Sequence, residues 1–306
     1  MSTSPTSSAV PPPRDIWYLG VDGGGTHCRA RLYDADGRVL GQGHAGSASL
    51  RFGVSHVWQQ VLAATHEAVT AAGLPLASLS RVHAGLGLAG AIDATTWREM
   101  AAYPTPFASV CVRSDAHTAV LGAYEGGEGG ILIVGTGSCG MAHVDGRFSS
   151  VGGWGFPLSD HASGAWLGLQ ALREALLCHE GLRAPSLLAE RLLDEFGHEP
   201  ARLAKWQTDA RPRDFARFAP AVFEAADEGD ILATALRRRA IDDATLLARG
   251  VLDLGVTRLC LVGGVGRALI PHLPTWLRQR LTEPLGDATQ GAFLLARRLT
   301  VRERTS

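Results

Sequence analysis

The stretch from Ile16 to Gly43, IWYLGVDGGGTHCRARLYDADGRVLGQG, constrains this 306-residue chain more than any other. An apolar run, Trp17 to Val21, stops at Asp22 and three glycines, Gly23 to Gly25, before Thr26 and the alternating segment Cys28 to Tyr33. That pattern reads as strand, tight turn, strand. Asp36-Gly37 is a type I′ hairpin signal and predicts a third strand, Arg38 to Gly43. The plan recurs later, where Ile131 to Val134 runs into Gly135-Thr136-Gly137-Ser138, then Cys139 to Val144, the turn Asp145-Gly146, and Arg147 to Val151. The chain therefore carries a structural pseudo-repeat.

Glycines between two strands let the backbone take positive φ and leave no Cβ in the way, so successive N–H groups can converge on an anion. Two such turns facing each other would clamp a phosphate. Asp22 adds a carboxylate, which a phosphate repels unless a hydrated Mg²⁺ lies between them. Nucleotide phosphates with Mg²⁺ fit the pair better than a bare anion does; glycine-rich all-β turns are the plain alternative.

The length suggests two domains, each with its own core. A formal net charge of −1 gives no electrostatic footprint for nucleic acid, so anionic ligands must be held locally. Five scattered cysteines, Cys28, Cys111, Cys139, Cys178 and Cys260, show no CxxC spacing and point to a reducing compartment. Apolar runs are too short for a membrane span, and the start lacks the pattern of a signal peptide, so a cytoplasmic protein without membrane or nucleic-acid partners is expected. Met1 to Arg14, with Pro11-Pro12-Pro13, reads as a disordered lead-in.

A helix is predicted from about Ser55, its N-cap, to Ala72, with Gly73 as the stop. Arg81 to Ala84 reads as a short strand running into the turn-like GLGLAGA, Gly85 to Ala91, and Asp93 caps a helix ending before Pro104. Ser109 to Val112 is a further strand, followed by Arg113-Ser114-Asp115 and a helix from Ala116 to Tyr124. Ser163 to Cys178 and most of 184–255 read as helix. Arg258 to Val262 is then a buried strand, followed by Gly263 to Gly266 and a helix from Arg267, and Asp287 caps a last helix, Ala288 to Leu299. Strands as a meander and then alternating with helices indicate a mixed α/β sheet.

Gly85 to Gly90 matches GxGxxG but lacks an acidic residue at the following ribose position, so a glycine-lined wall or close packing fits better than a dinucleotide site. No GxxxxGK[ST], HExxH or GxSxG occurs. His27, His117 and His161 show no metal-ligand spacing. Asp115, between a strand and a helix, can serve as general base toward an alcohol or as the helix N-cap, and spacing leaves both open. Gly152-Gly153-Trp154-Gly155-Phe156 and Asp160 suit a sugar, with an aromatic wall and a carboxylate for paired hydroxyls; a helix cap at Asp160 or Ser163 is the alternative. Gly263 to Gly266 would let a flat base approach the backbone, or form an ordinary strand-to-helix turn.

Taken in order, DGGGTHCRA, SDA at Asp115, IVGTGS, GGWGFPLSDHASG, LVGGVG and GDATQGAF resemble the acetate and sugar kinase, Hsc70 and actin superfamily. Within it they resemble the N-acetylglucosamine kinase and BadF/BadG/BcrA/BcrD ATPase family, over Ile16 to Leu299. The resemblance implies an α/β protein of two ribonuclease H-like (actin-like ATPase) domains with an interdomain ATP cleft. Residues 15–118, with a returning C-terminal helix at 287–302, would form the first domain, and 119–286, with a helical insertion, the second. It implies ATP and Mg²⁺ as cofactors, Asp22 near Mg²⁺ through water, Gly24, Gly25, Thr26, Gly135, Thr136, Gly137 and Ser138 on phosphates, and Gly263 and Gly264 at adenosine. Asp115 would be the base, and with Gly153, Trp154, Gly155 and Asp160 would hold the sugar.

The chain departs from the family pattern at His27-Cys28, at His161-Ala162-Ser163 after Asp160, and at Ser47-Ala48-Ser49, where the family often carries a sugar-binding Asn. The expected activity is ATP-dependent phosphorylation of an amino sugar, N-acetylglucosamine or glucosamine, at the 6-hydroxyl. The alternatives are a BadF-type ATPase activating a partner reductase and a non-catalytic sugar sensor. A homodimer through the helical second domain is expected.

Overall fold

The computed structural model describes residues 16–305, and side chains as far as residue 298; the lead-in expected at 1–14 lies outside the described residues. The chain divides into two compact units, one reaching to Gly126 and resuming at Leu285, the other Gly127–Pro284. The first unit is built from β1 (Trp17–Gly23), β2 (Cys28–Tyr33), β3 (Val39–Ala45), α1 (Val54–Ala71), β4 (Val82–Leu88), α2 (Ala94–Ala101), β5 (Ser109–Ser114) and α3 (Asp115–Ala123). The expected boundary at 118/119 would cut α3; the division instead follows that helix, at Gly126. The five strands lie in the order β3-β2-β1-β4-β5, with an antiparallel meander and then parallel β1, β4 and β5, the ribonuclease H-like arrangement. Leu19, Val21, Leu32, Trp58, Val61, Leu86 and Met100 fill its core.

Three local expectations change here. The β2–β3 turn is not type I′: only Gly37 takes a left-handed φ (85°), while the Asp34 carboxylate accepts the N–H groups of Asp36 and Arg38, both at 2.9 Å. Helix α1 begins at Val54 with Gly53, not Ser55, in the cap position. Gly85 to Leu88 continue β4 rather than forming a turn, because each residue finds ladder partners in β1 and β5.

The second unit opens with β6 (Gly129–Val134), β7 (Ser138–Val144) and β8 (Arg147–Gly152). Here the turn is type I′, with Asp145 (φ 50°) and Gly146 (φ 71°) both left-handed. Helices follow: α4 (Gly164–His179), α5 (Leu187–Asp194), α6 (Pro200–Asp209), α7 (Pro212–Ala216), α8 (Ala219–Asp227) and α9 (Ile231–Leu252). Ser163, Ser186 and Asp230 cap α4, α5 and α9 by accepting backbone N–H groups. Small residues on one face of α9, Ala233, Ala240, Ala244 and Ala248, are buried and let it approach closely. Strand β9 (Leu259–Val262) then pairs in parallel with β6, giving the order β8-β7-β6-β9, before α10 (Gly264–Leu269) and α11 (Thr275–Arg278). A lone parallel bridge from Leu259 to Leu281 stands beyond β9, where the first unit has its fifth strand.

The chain then returns to the first unit as α12 (Ala288–Thr305). Asp287 caps it, its carboxylate accepting Gln290 N–H at 3.0 Å and taking both guanidinium nitrogens of Arg31 at 3.2 and 2.9 Å. The helix lies against bare backbone. A Cβ on Gly20 would stand 2.0 Å from the Thr289 carbonyl oxygen, and one on Gly85 2.0 Å from that of Ala292. The GxGxxG stretch is thus accounted for by close packing. No helix among the described residues is long and apolar enough to cross a membrane.

Candidate active site

Each unit carries part of the expected site, and each part can be built from its own strands. In the first unit β1 delivers Asp22 to the carboxyl edge of the sheet, where it pairs across the hairpin with Arg29 of β2. The guanidinium meets the carboxylate at 2.5 Å, so Arg29 orients Asp22. Sequence reading missed Arg29, although its register opposite Asp22 follows from the hairpin. The turn is pinned from inside by Gly24 N–H to the His27 carbonyl (2.9 Å), and from the following loop by Ala48 N–H (3.1 Å) and Ser47 Oγ (3.2 Å) to the Gly24 carbonyl.

Among the described residues the N–H groups of Gly25, Thr26 and His27 have no protein acceptor, and all three residues are exposed. Neither Gly24 nor Gly25 takes a left-handed φ, contrary to expectation. A Cβ on Gly25 would meet nothing within 4 Å, so no packing contact requires glycine there.

Asp115 stands at the same sheet edge, two strands away. Asp22 and Arg113 both register with Gly87 of β4, and Ser114 with Leu88. The cap of α3 is Ser114, whose Oγ accepts the His117 N–H at 3.4 Å and contacts His117 Nδ1 at 2.7 Å. That removes the capping role left open for Asp115, whose carboxylate accepts the adjacent Ala116 N–H at 2.9 Å and its own backbone N–H. Burial, and then the negative charge of Asp22, push its pKa up to about 6. His117 stands edge-on to Trp97 at 5.5 Å, and the Arg113 guanidinium lies 4.5 Å from the Trp97 ring centroid. These flanking groups carry no sequence signal, since three separate elements bring them together.

In the second unit the turn Gly135 to Ser138 joins β6 to β7, and its carbonyls take the first N–H groups of α4: Gly164 to Gly135 at 2.8 Å and Ala165 to Thr136 at 3.1 Å. The N–H groups of Thr136 and Gly137 have no protein acceptor among the described residues, and Thr136 is exposed. Ser138 Oγ donates to the His161 carbonyl at 2.7 Å. Asp160 is buried, left-handed at φ 62°, and accepts the N–H groups of Ser138 and Phe156. Its Oδ2 would lie 2.8 Å from a Cβ on Gly137. Burial pushes the Asp160 pKa up, against the pull of those N–H groups and of His161.

Gly153, Trp154 and Gly155 occupy the same loop, and Trp154 is 75 % exposed. Strand β9 ends on this turn. Gly263 is left-handed at φ 96°, and a Cβ there would stand 2.2 Å from the Val134 carbonyl oxygen and 3.0 Å from Gly135 N, whereas Gly264 meets nothing within 4 Å. The second unit therefore gathers Gly135 to Ser138, Asp160 and Gly263-Gly264. The first gathers Asp22, Gly24 to Thr26 and Asp115.

The donor set around Asp22 fits Mg²⁺. A single carboxylate is offered, and no group of three His, Cys, Asp or Glu is placed to hold a metal among the described residues. Such a site suits an ion that keeps its waters and is held mainly by phosphates.

Three proteins set this geometry in context. The chain is 36 % identical to the glucosamine kinase GspK of Vibrio cholerae over 280 residues, covering 92 % of this chain and 95 % of that protein. A solved structure from Chromobacterium violaceum, described as a candidate N-acetylglucosamine kinase, superposes with a TM-score of 0.86 at 40 % identity, covering 92 % and 99 % of the two chains. A ROK family glucokinase from Streptomyces griseus, solved with glucose and AMPPNP, shares the two-domain fold at TM-score 0.55 and 21 % identity, with 92 % and 99 % covered. Residues 19–296 match the model of one family, and with these two sheets and these two glycine turns the chain belongs to the BadF/BadG/BcrA/BcrD ATPase family.

Proposed function

We propose that this chain is an ATP-dependent amino-sugar kinase that phosphorylates the 6-hydroxyl of glucosamine or N-acetylglucosamine, with Asp115 as general base. The observation that carries the reading is the Asp115 carboxylate. It is released from capping by Ser114, desolvated, and raised in proton affinity to about 6 at the strand edge that also bears the open amides of Gly25 and Thr26. A base of that strength is deprotonated at neutral pH and still accepts a proton from a hydroxyl as attack proceeds.

In this reading Gly24, Gly25, Thr26, Gly135, Thr136, Gly137 and Ser138 hold phosphate oxygens, and Gly263 and Gly264 let the adenosine approach bare backbone. Gly153, Trp154, Gly155 and Asp160 line the sugar, Trp154 as an apolar wall. Asp22, oriented by Arg29, would hold a water of Mg²⁺, which when bound neutralises charge on the transferring phosphoryl group. The sugar O6 loses its proton to Asp115, forms the new O–P bond, and ADP leaves with the bridging oxygen of the broken γ-phosphoryl bond. The relatives named for glucosamine and N-acetylglucosamine phosphorylation support the substrate class. A cytoplasmic homodimer is part of the same reading.

The test is coupled ADP release with glucosamine, N-acetylglucosamine, glucose, N-acetylmannosamine and no sugar. ADP release that requires an amino sugar is the expected result, and equal release without sugar would overturn the kinase reading in favour of a partner-activating ATPase. Asp115→Asn should lose roughly two to four decades of kcat while still binding ATP. Near-normal turnover would remove Asp115 from the mechanism.

A further inference from the structure

Away from the site just described, the second unit has a cavity of about 320 Å³ lined by Arg249, Leu252, Asp253, Trp276 and Arg280. Arg249 lies in the last turn of α9, Asp253 caps that helix, Trp276 lies on α11, and Arg280 follows α11. The guanidinium carbons of Arg249 and Arg280 stand 5.4 and 5.6 Å from the centroid of the same indole. Among the described residues neither side chain makes an ion pair or hydrogen bond, and the Asp253 carboxylate has no partner either.

Two like charges brought to one ring repel each other. The negative end of α9 accounts for attracting Arg249 but not Arg280, which belongs to another segment. Stacking on the indole holds each guanidinium while leaving its N–H edge unspent, and two such edges match the oxygens of one phosphate. Asp253 adds an acceptor for a hydroxyl, and Leu252 an apolar floor. Two positive charges against one negative leave the cavity cationic.

We propose that this cavity binds a small phosphomonoester of a polyhydroxylated molecule, the phosphate taken by Arg249 and Arg280 and a hydroxyl by Asp253. It is distinct from the nucleotide turns. Leu259, the first residue of β9, donates its N–H to the Arg280 carbonyl at 3.0 Å, whereas Gly263 and Gly264 follow the last residue of that strand. The inference does not depend on the kinase reading, since it rests on residues that reading does not use.

The test is isothermal titration calorimetry of the full chain with glucosamine 6-phosphate, inorganic phosphate and glucosamine. Glucosamine 6-phosphate should bind, with inorganic phosphate weaker and glucosamine silent at this site. Inorganic phosphate binding as tightly as the ester would overturn the polyol part. In Arg249→Gln/Arg280→Gln the affinity for the ester should fall at least about tenfold, because charge-assisted bonds to both guanidiniums are lost, while sugar-dependent ADP release stays at the wild-type rate. Arg280 is exposed, so Arg280→Lys, which keeps the charge and loses the fork, serves as a folded second variant and should weaken binding as well. Ester affinity unchanged in these variants, or no binding by the wild-type protein, would sink the proposal whatever the chain phosphorylates.

Discussion

Asp115 holds its proton more tightly than a surface aspartate because it is desolvated beside Asp22, and that has opposite consequences for folding and turnover. Its folded pKa of about 6 lies above the reference 3.8, so between those values the folded state keeps a proton that the unfolded chain releases. Stability therefore falls as pH rises from about 4 to about 6 and stays lower above that range. Asp115→Asn should raise Tm by a few degrees at pH 7.5, with the gain vanishing near pH 4, as calorimetry would read. For the wild-type enzyme kcat/KM should drop about tenfold per pH unit below about 6, where the base becomes protonated. A flat acid limb would contradict the assignment. Asp115 was legible as a carboxylate at a strand end. That Ser114 takes the cap was not, because adjacent residues at a strand–helix junction compete for the role and backbone direction decides between them. Arg29 was overlooked for a different reason: a carboxylate's partner across a hairpin is visible only once register is counted.

At the scale of elements, glycines that look alike in sequence do two different jobs. Gly85 presses β4 onto α12, and Gly25 faces open space. Gly85→Val should therefore unseat the last helix, lowering Tm markedly and costing more than the roughly 1–3 kcal/mol of ordinary overpacking, since a carbonyl rather than a side chain is in the way. Gly25→Val should leave Tm nearly unchanged and weaken ATP binding, read by thermal melts and nucleotide titration of the same two proteins. Equal melting losses in both would mean that Gly25 also has a packing role. The meanders, α3, α9 and the Asp287 cap were readable from alternation, helical spacing and capping chemistry, which are local. Strand β4 was read too short because GLGLAG has turn-like composition; two flanking parallel strands supply its ladder and override that preference.

The whole chain is two units with different dependence on continuity. Gly127–Pro284 is one uninterrupted segment with its own core, whereas the first unit needs the returning α12 to cover Gly20 and Gly85. A fragment of residues 127–284 should fold with a cooperative melt, and residues 1–126 alone should not; hydrogen exchange of the two fragments would show it. By itself the sequence determined the order of elements, the two glycine turns and the carboxylates at strand ends, because periodicity and turn chemistry act over a few neighbouring residues. Only the tertiary structure decided which glycines stay bare and which lie under a helix, and which of Ser114 and Asp115 caps α3. Those outcomes depend on atoms that segments distant along the chain bring alongside.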